Sequence, residues 1–143
     1  MKAIYSDKRA GLQLLIDANC RVWMSNDEID TAEMQKMADM AIPSCVLVGG
    51  LGLGILPRLL ANRKDIHEIT VIEKSESVIR GSVVMSDKIV IIHSDFNLFI
   101  KNNNLLKFDC ALVDIWPRRR GHEDEMSQMK KLPIPSFVWG IDA

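Results

Sequence analysis

From residue 43 onward, short apolar runs alternate with longer mixed segments. The run 44–48 is apolar and ends in glycines, which predicts a strand buried on both faces. Residues 55–63 predict a helix with Pro57 near its first turn, where the missing N–H costs nothing. The β-branched run 68–73 predicts a second strand closing on a carboxylate, and 75–80 a short helix with Ser75 as its N-cap. A third strand follows at 88–93, a helix carrying Phe96, Phe99 and Ile100 at 95–102, and a fourth strand at 108–115. The run 123–132 predicts a polar helix and 136–141 a last strand. Strands and helices alternating through short loops imply a mainly parallel five-stranded sheet covered on both faces, an α/β three-layer sandwich.

Before residue 43 the texture differs. Residues 13–17 and 21–24 predict a hairpin turning at Asn19, and 27–40 a helix with Ile29, Met34, Met37 and Ala41 on one stripe. Met24, Met34, Met37 and Met40 read as plastic core rather than a cofactor box. The chain thus divides into a small hairpin and helix, 1–42, packed on a sheet domain, 43–143, and Asn102, Asn103 and Asn104 mark a turn.

Composition narrows the class. The 143 residues are 48 % apolar and 26 % charged, enough to bury a core. Eighteen basic against 19 acidic residues leave a net charge of −1, which disfavours sequence-independent nucleic-acid binding. Cys45 and Cys110 lie in apolar runs and Cys20 stands apart; with no CxxC pair, reduced thiols in a cytoplasm are the expectation. No apolar stretch reaches the ~18 residues a membrane span needs, and no cluster of His, Cys and acid has metal-ligand spacing.

The chemistry concentrates at residues 48–54, Val-Gly-Gly-Leu-Gly-Leu-Gly, between a predicted strand and a predicted helix. Glycines let the backbone turn sharply and approach a ligand with no Cβ in the way. Glu73 ends the next strand about twenty residues on, where a nucleotide-binding α/β fold places the acid that accepts from ribose hydroxyls. A dinucleotide site usually carries GxGxxG; here Gly50, Gly52 and Gly54 make GxGxG.

That loop resembles those of class I S-adenosylmethionine-dependent methyltransferases, and more closely the spermidine synthase-like branch. The segment from Glu73 to Ile79 is similar to that branch's acid-plus-helix segment. His93-Ser-Asp-Phe-Asn-Leu-Phe99 is similar to its GDxxxF segment, and Phe108-Asp-Cys-Ala-Leu-Val-Asp114 to its YDxIxxD strand. Upstream, Leu15-Ile-Asp17 and Asp27-Glu28 through Glu33-Met34 resemble its hairpin and DExxxxEM helix, so the likeness covers roughly residues 12–116. The resemblance implies a Rossmann-like sheet in the order 3-2-1-4-5 and an S-adenosylmethionine site formed by Gly49, Gly50, Gly52, Gly54, Glu73, Lys74, Asp95, Phe96 and Asp114. In it Asp95 would meet the adenine amino group, and Asp114 would stand as the catalytic acid beside the reacting centre.

The departures bear on activity. The acid that the synthase branch carries in its loop is missing, Leu51 or Leu53 standing there, and Thr31 replaces an expected tyrosine. The family's final antiparallel strands have no counterpart after residue 141, which leaves an open edge that could pair in a homodimer. The leading reading is methyl transfer to an unidentified acceptor, an acidic or phosphate-bearing one if Arg118, Arg119 and Arg120 receive it. The alternative is a non-catalytic nucleoside-binding or interaction protein, with aminopropyl transfer behind both. His67 and His122 read as solvent-facing, His93 as locally hydrogen-bonded, and Trp116-Pro117 as either an acceptor wall or a packed turn.

Overall fold

The computed structural model describes residues 2–7, 12–82, 86–117 and 119–143. Strands β1 (Lys2–Asp7), β2 (Leu12–Asp17) and β3 (Val22–Ser25) form an antiparallel sheet in that order, with a register shift at Leu15/Ile16 in the β2–β3 pair. The predicted hairpin is therefore two strands, one central and one at the edge, of a three-stranded sheet. Helix α1 (Glu28–Met40) follows, capped by Asp27, whose side chain accepts from the Asp30 amide at 2.8 Å.

The remainder builds the parallel sheet. In chain order come β4 (Cys45–Gly49), α2 (Ile55–Ala61), β5 (Glu68–Glu73), α3 (Glu76–Gly81), β6 (Ile89–His93), α4 (Phe96–Asn102), β7 (Cys110–Val113), α5 (Glu123–Met129) and β8 (Ser136–Val138). The strands pair in parallel in the order β6-β5-β4-β7-β8, the 3-2-1-4-5 arrangement. Ser75 caps α3 and Asp95 caps α4, each through its own side chain.

Two apolar layers sandwich the sheet. On one face Met34, Met37 and Ala38 of α1, Leu56 and Leu60 of α2 and Val78 of α3 pack with Val46, Val48, Ile69, Val71 and Leu112. On the other, Phe96 and Phe99 of α4 and Met126 and Met129 of α5 pack with Leu47, Ile72, Ala111, Val113 and Trp116. Burying each such large side chain contributes about 1.5–3 kcal/mol relative to leaving it in water. Ile29 does not join the stripe assigned to it and is 71 % exposed. Successive helical residues turn by about 100°, so position 29 lies about 140° from Met34, whereas Met37, Ala38 and Ala41 share the face of Met34.

Polar groups tie the pieces. Asp109 accepts from the amides of Cys45 (2.8 Å) and Ser44 (2.7 Å), which holds its carboxyl below the usual range. The Trp139 indole donates to Glu33 at 2.8 Å, fastening α1 beside the end of β8. Cys110 is buried, and desolvation raises its thiol pKa; Cys20 is exposed. Among the described residues no helix is long and apolar enough to cross a membrane, and no group of three His, Cys, Asp or Glu is arranged to hold a metal.

Candidate functional site

Chain direction creates the cleft. After β4 the backbone turns to α2 on one face of the sheet, and after β7 it runs to α5 on the other, so the carboxyl ends of these adjacent strands part. A parallel α/β sheet takes ligands in the crevice at such a switch point. Here a cavity of about 270 Å³ opens, lined by residues that include Gly50, Gly52, Glu73, Lys74, Asp95, Phe96 and Asp114. A second cavity, of about 310 Å³, is lined by Cys45 and Glu68 from the opposite ends of β4 and β5, away from the glycine loop.

The loop explains its composition. Gly50 has φ +95°, and a Cβ there would run into the main-chain carbonyl of Asp114. A Cβ on Gly49 would stand 3.0 Å from the Phe96 ring, so the bare backbone lets the start of α4 close over it. Leu51 and Leu53 are both buried in the core, and the loop therefore turns backbone rather than side chains to the cleft.

Glu73 is 5 % exposed, and both of its oxygens serve the main chain. One accepts from the Leu51 amide at 3.0 Å, the other from Ser75 at 2.8 Å. The acid thus closes the glycine loop onto β5. Each oxygen keeps a further lone pair for another donor.

At the α4 end of the cleft, Asp95 divides its carboxylate. One oxygen caps Leu98 at 3.1 Å, and the other lies 3.7 Å from Lys74 Nζ. Lys74 is 80 % exposed, so this pair is a weak, movable strap across the mouth. His93 meets the Lys74 carbonyl through Nε2 at 3.0 Å, as a local hydrogen bond.

Trp116 is buried and donates to Glu125 at 2.8 Å, so this residue is both packed and part of the wall. His122 departs from its expected solvent-facing position. It is half-buried on the cavity wall, and its Nδ1 is the buried side-chain nitrogen or oxygen left without a hydrogen bond among the described residues. Glu125 lies 3.7 Å from it. Helix α5 packs Met126 into the core and draws its first turn, with the preceding His122, inward. Arg119 and Arg120 are exposed, and Arg118 lies outside the described residues.

The opposite end is built by the N-terminal sheet. Leu15, Trp23 and Met24 line it, a place on the cleft that reading Met24 as core does not anticipate. The Trp23 indole donates to Asp17 at 3.0 Å, and this bond leads in holding the Asp17 carboxyl well below the usual carboxylate range, with Arg21 and Asn19 adding to it against burial. Behind Met24 a small cavity is walled by Trp23, Asp30, Glu33, Met34, Asp114 and Trp139. Gly54, the remaining predicted site glycine, is the buried N-cap of α2.

No protein-family model matches the chain, and no curated protein matches it. Among solved structures, the crystal structure of spermidine synthase from Thermotoga maritima matches with a TM-score of 0.61 at 17 % sequence identity. The chain has a spermidine synthase-like fold. The alignment covers 79 % of this chain and 42 % of the synthase, so the chain spans about two fifths of that protein's length. The match agrees with a Rossmann-like α/β sheet.

Proposed function

We propose that the chain binds an adenosine-bearing sulfonium donor of the S-adenosylmethionine type in the cleft and transfers its methyl group to an acceptor beside Asp114. The observation that carries this reading is the meeting of Gly50, Glu73, Asp95 and Asp114 on one cavity at the sheet's switch point. The residues fit such a ligand. Gly50 and Gly52 allow close approach of the backbone, Glu73 and Asp95 are acceptors for hydroxyl and amino groups, and Phe96 and Trp116 supply apolar wall for a base.

When bound, the donor supplies an electrophilic carbon on a charged sulfur that leaves as a neutral thioether. The chain's contribution is placement, which supplies much of the rate in such a displacement. Glu73 and the glycine loop hold one end, and Asp114 accepts a hydrogen bond from the acceptor's N–H or O–H and aims its lone pair.

A second reading, aminopropyl transfer to an amine, is favoured by the small cavity behind Met24. That cavity is only about 20 Å³, but the three carboxylates and two indoles that meet on it suit a cation better than an acidic acceptor. It ranks second because Leu51 and Leu53 are buried and the loop turns no carboxylate to the cleft for a donor amine.

Thermal unfolding tests the proposal. S-adenosylmethionine and S-adenosylhomocysteine at a hundredfold excess over Kd should each stabilise by about 2.7 kcal/mol. Preference for the decarboxylated donor would move aminopropyl transfer to first place, and binding with no transfer to any acceptor would favour a non-catalytic nucleoside-binding role. Asp95→Asn is the informative variant. Asparagine caps a helix as well as aspartate, so the melting temperature should hold. Its amide, however, presents a donor where the second carboxylate oxygen was an acceptor, so nucleoside binding should fall. Unchanged binding in Asp95→Asn would refute the assignment of the base to this end.

A further inference from the structure

The cavity at the opposite ends of β4 and β5 has no part in the reading above. It measures about 310 Å³, the size of a small-ligand pocket. Side chains alternate along a strand, so Cys45, Glu68, Thr70, Val90 and Ile92 share one face of β4, β5 and β6. This is the face that α4 covers, and the sandwich is not closed there: Val90, on the edge strand, is 50 % exposed.

Thr70 is the odd member of that face. It is 6 % exposed, yet its hydroxyl, which lines the cavity, is bonded to no group among the described residues. Valine has nearly the same shape and would fill the position with no polar atom to satisfy, whereas a buried hydroxyl without a partner is costly. The charges at the rim are likewise uncommitted. Lys107 forms no ion pair among the described residues; its Nζ lies 5.3 Å from the centroid of the Phe108 ring. Glu68 forms none either and accepts only from the Cys45 thiol, at 3.8 Å. The Asn103 amide donates through Nδ2 to the Phe99 carbonyl at 2.9 Å, which leaves Oδ1 as an acceptor.

Two donors, the Lys107 ammonium and the Thr70 hydroxyl, thus meet two acceptors, Glu68 and Asn103 Oδ1, on one cavity. The remaining wall is apolar and includes Val90, Ile92, Phe99 and Phe108. We propose that this cavity is a second ligand site, and that it takes a free α-amino acid with an apolar side chain. The carboxylate meets Lys107 and Thr70, the ammonium meets Glu68 and Asn103, and the side chain lies against the apolar wall. Complementarity selects the zwitterion: an anion alone faces Glu68, a cation alone faces Lys107, and a purely apolar molecule leaves the Thr70 hydroxyl unpaired. The site is separate from the glycine-loop cleft, because it lies at the amino ends of strands whose carboxyl ends form that cleft.

Titration of the isotopically labelled full chain with L-leucine and L-phenylalanine, followed by amide NMR shifts, tests the site. The amides of Thr70, Val90 and Asn103 should move, and those of Gly50 and Asp95 should stay. Phenylacetate and phenethylamine each lack one of the two charges and should bind about tenfold more weakly than L-phenylalanine. Thr70→Val should weaken L-phenylalanine about tenfold while the unliganded melting temperature holds or rises. Lys107 is exposed, so Lys107→Met tests the carboxylate contact without touching the core. It should weaken L-phenylalanine about tenfold and leave phenethylamine unchanged. No shift with either amino acid, or shifts confined to the glycine-loop end, would overturn the proposal. So would equal binding of the three aromatic probes, or a Thr70→Val variant that binds like the wild type, the hydroxyl then serving water alone.

Discussion

Replacing Gly50 by alanine probes whether the cleft is a fixed cradle. The residue has φ +95°, a region that costs an L side chain about 1–2 kcal/mol. The added methyl would also strike the Asp114 carbonyl, and that carbonyl is not free to rotate away as a side chain would. The Gly50 amide is bonded to Ile72 O at 2.9 Å and the Asp114 amide to Gly49 O at 2.9 Å, so both partners are anchored to neighbouring strand ends. Making room means parting β4 from β7, an overpacking cost of about 1–3 kcal/mol more. Gly121 supplies the control, because it has φ +87° and nothing within 4 Å of its Cβ position. Gly50→Ala should therefore cost about 2–5 kcal/mol and Gly121→Ala only about 1–2 kcal/mol. Urea unfolding followed by tryptophan fluorescence measures both, and nucleoside binding should be lost in the first variant alone. Equal losses in the two variants would show that the Asp114 carbonyl yields easily, and the argument for a preorganised cleft would fail.

Trp116→Phe removes the indole donor to Glu125; because that carboxylate is 60 % exposed, the hydrogen bond's share of the cost should be about 1 kcal/mol, read by urea unfolding as the excess over the same substitution in a Glu125→Ala background, where no acceptor remains. The Asp17 carboxyl is depressed in the fold, so its contribution is complete above the unfolded pKa of about 3.9 and disappears as pH falls below it. In the folded protein Trp23 fluorescence should accordingly hold through about pH 4 and change only well below it, and a folded-state change near pH 4 would refute the assignment. Thiol labelling should modify exposed Cys20 quickly and Cys110 only on unfolding, since burial raises the pKa of the latter; prompt labelling of Cys110 would mean its layer opens in the native state.

What was legible in the sequence follows from where local pattern and tertiary demand agree. Strand β5 spans Glu68–Glu73 as the β-branched run predicts, because a strand buried on both faces needs little beyond apolar side chains. Strand β1, which the sequence reading left unassigned, mixes charge with apolar residues, and its pairing to β2 is what makes it a strand. The last strand ends at Val138, short of the predicted 141, because Asp142 accepts from the Val138 amide at 2.7 Å and the chain turns back there. The glycine loop and its acid were visible as spacing along the chain. Trp23, Met24, His122 and Glu125 were not, since no local pattern says that an N-terminal hairpin and the start of α5 close on the same cleft.

Glu73 shows how far such a motif reaches. Its two oxygens bind Leu51 and Ser75 amides, so an acid at this strand end is required to hold the loop whether or not a ribose ever arrives. Removing it would unmake the loop and abolish binding for a reason unrelated to ligand contact, and Glu73→Ala is therefore a poor test of function. Asp95 is more diagnostic. Helix capping accounts for one of its oxygens, at 3.1 Å from the Leu98 amide, and the other has only an exposed lysine 3.7 Å away. Architecture would be served equally well by asparagine or serine at that position. A carboxylate whose second oxygen faces a nucleoside-sized cavity, beyond anything the helix needs, is the feature that folding alone leaves unexplained.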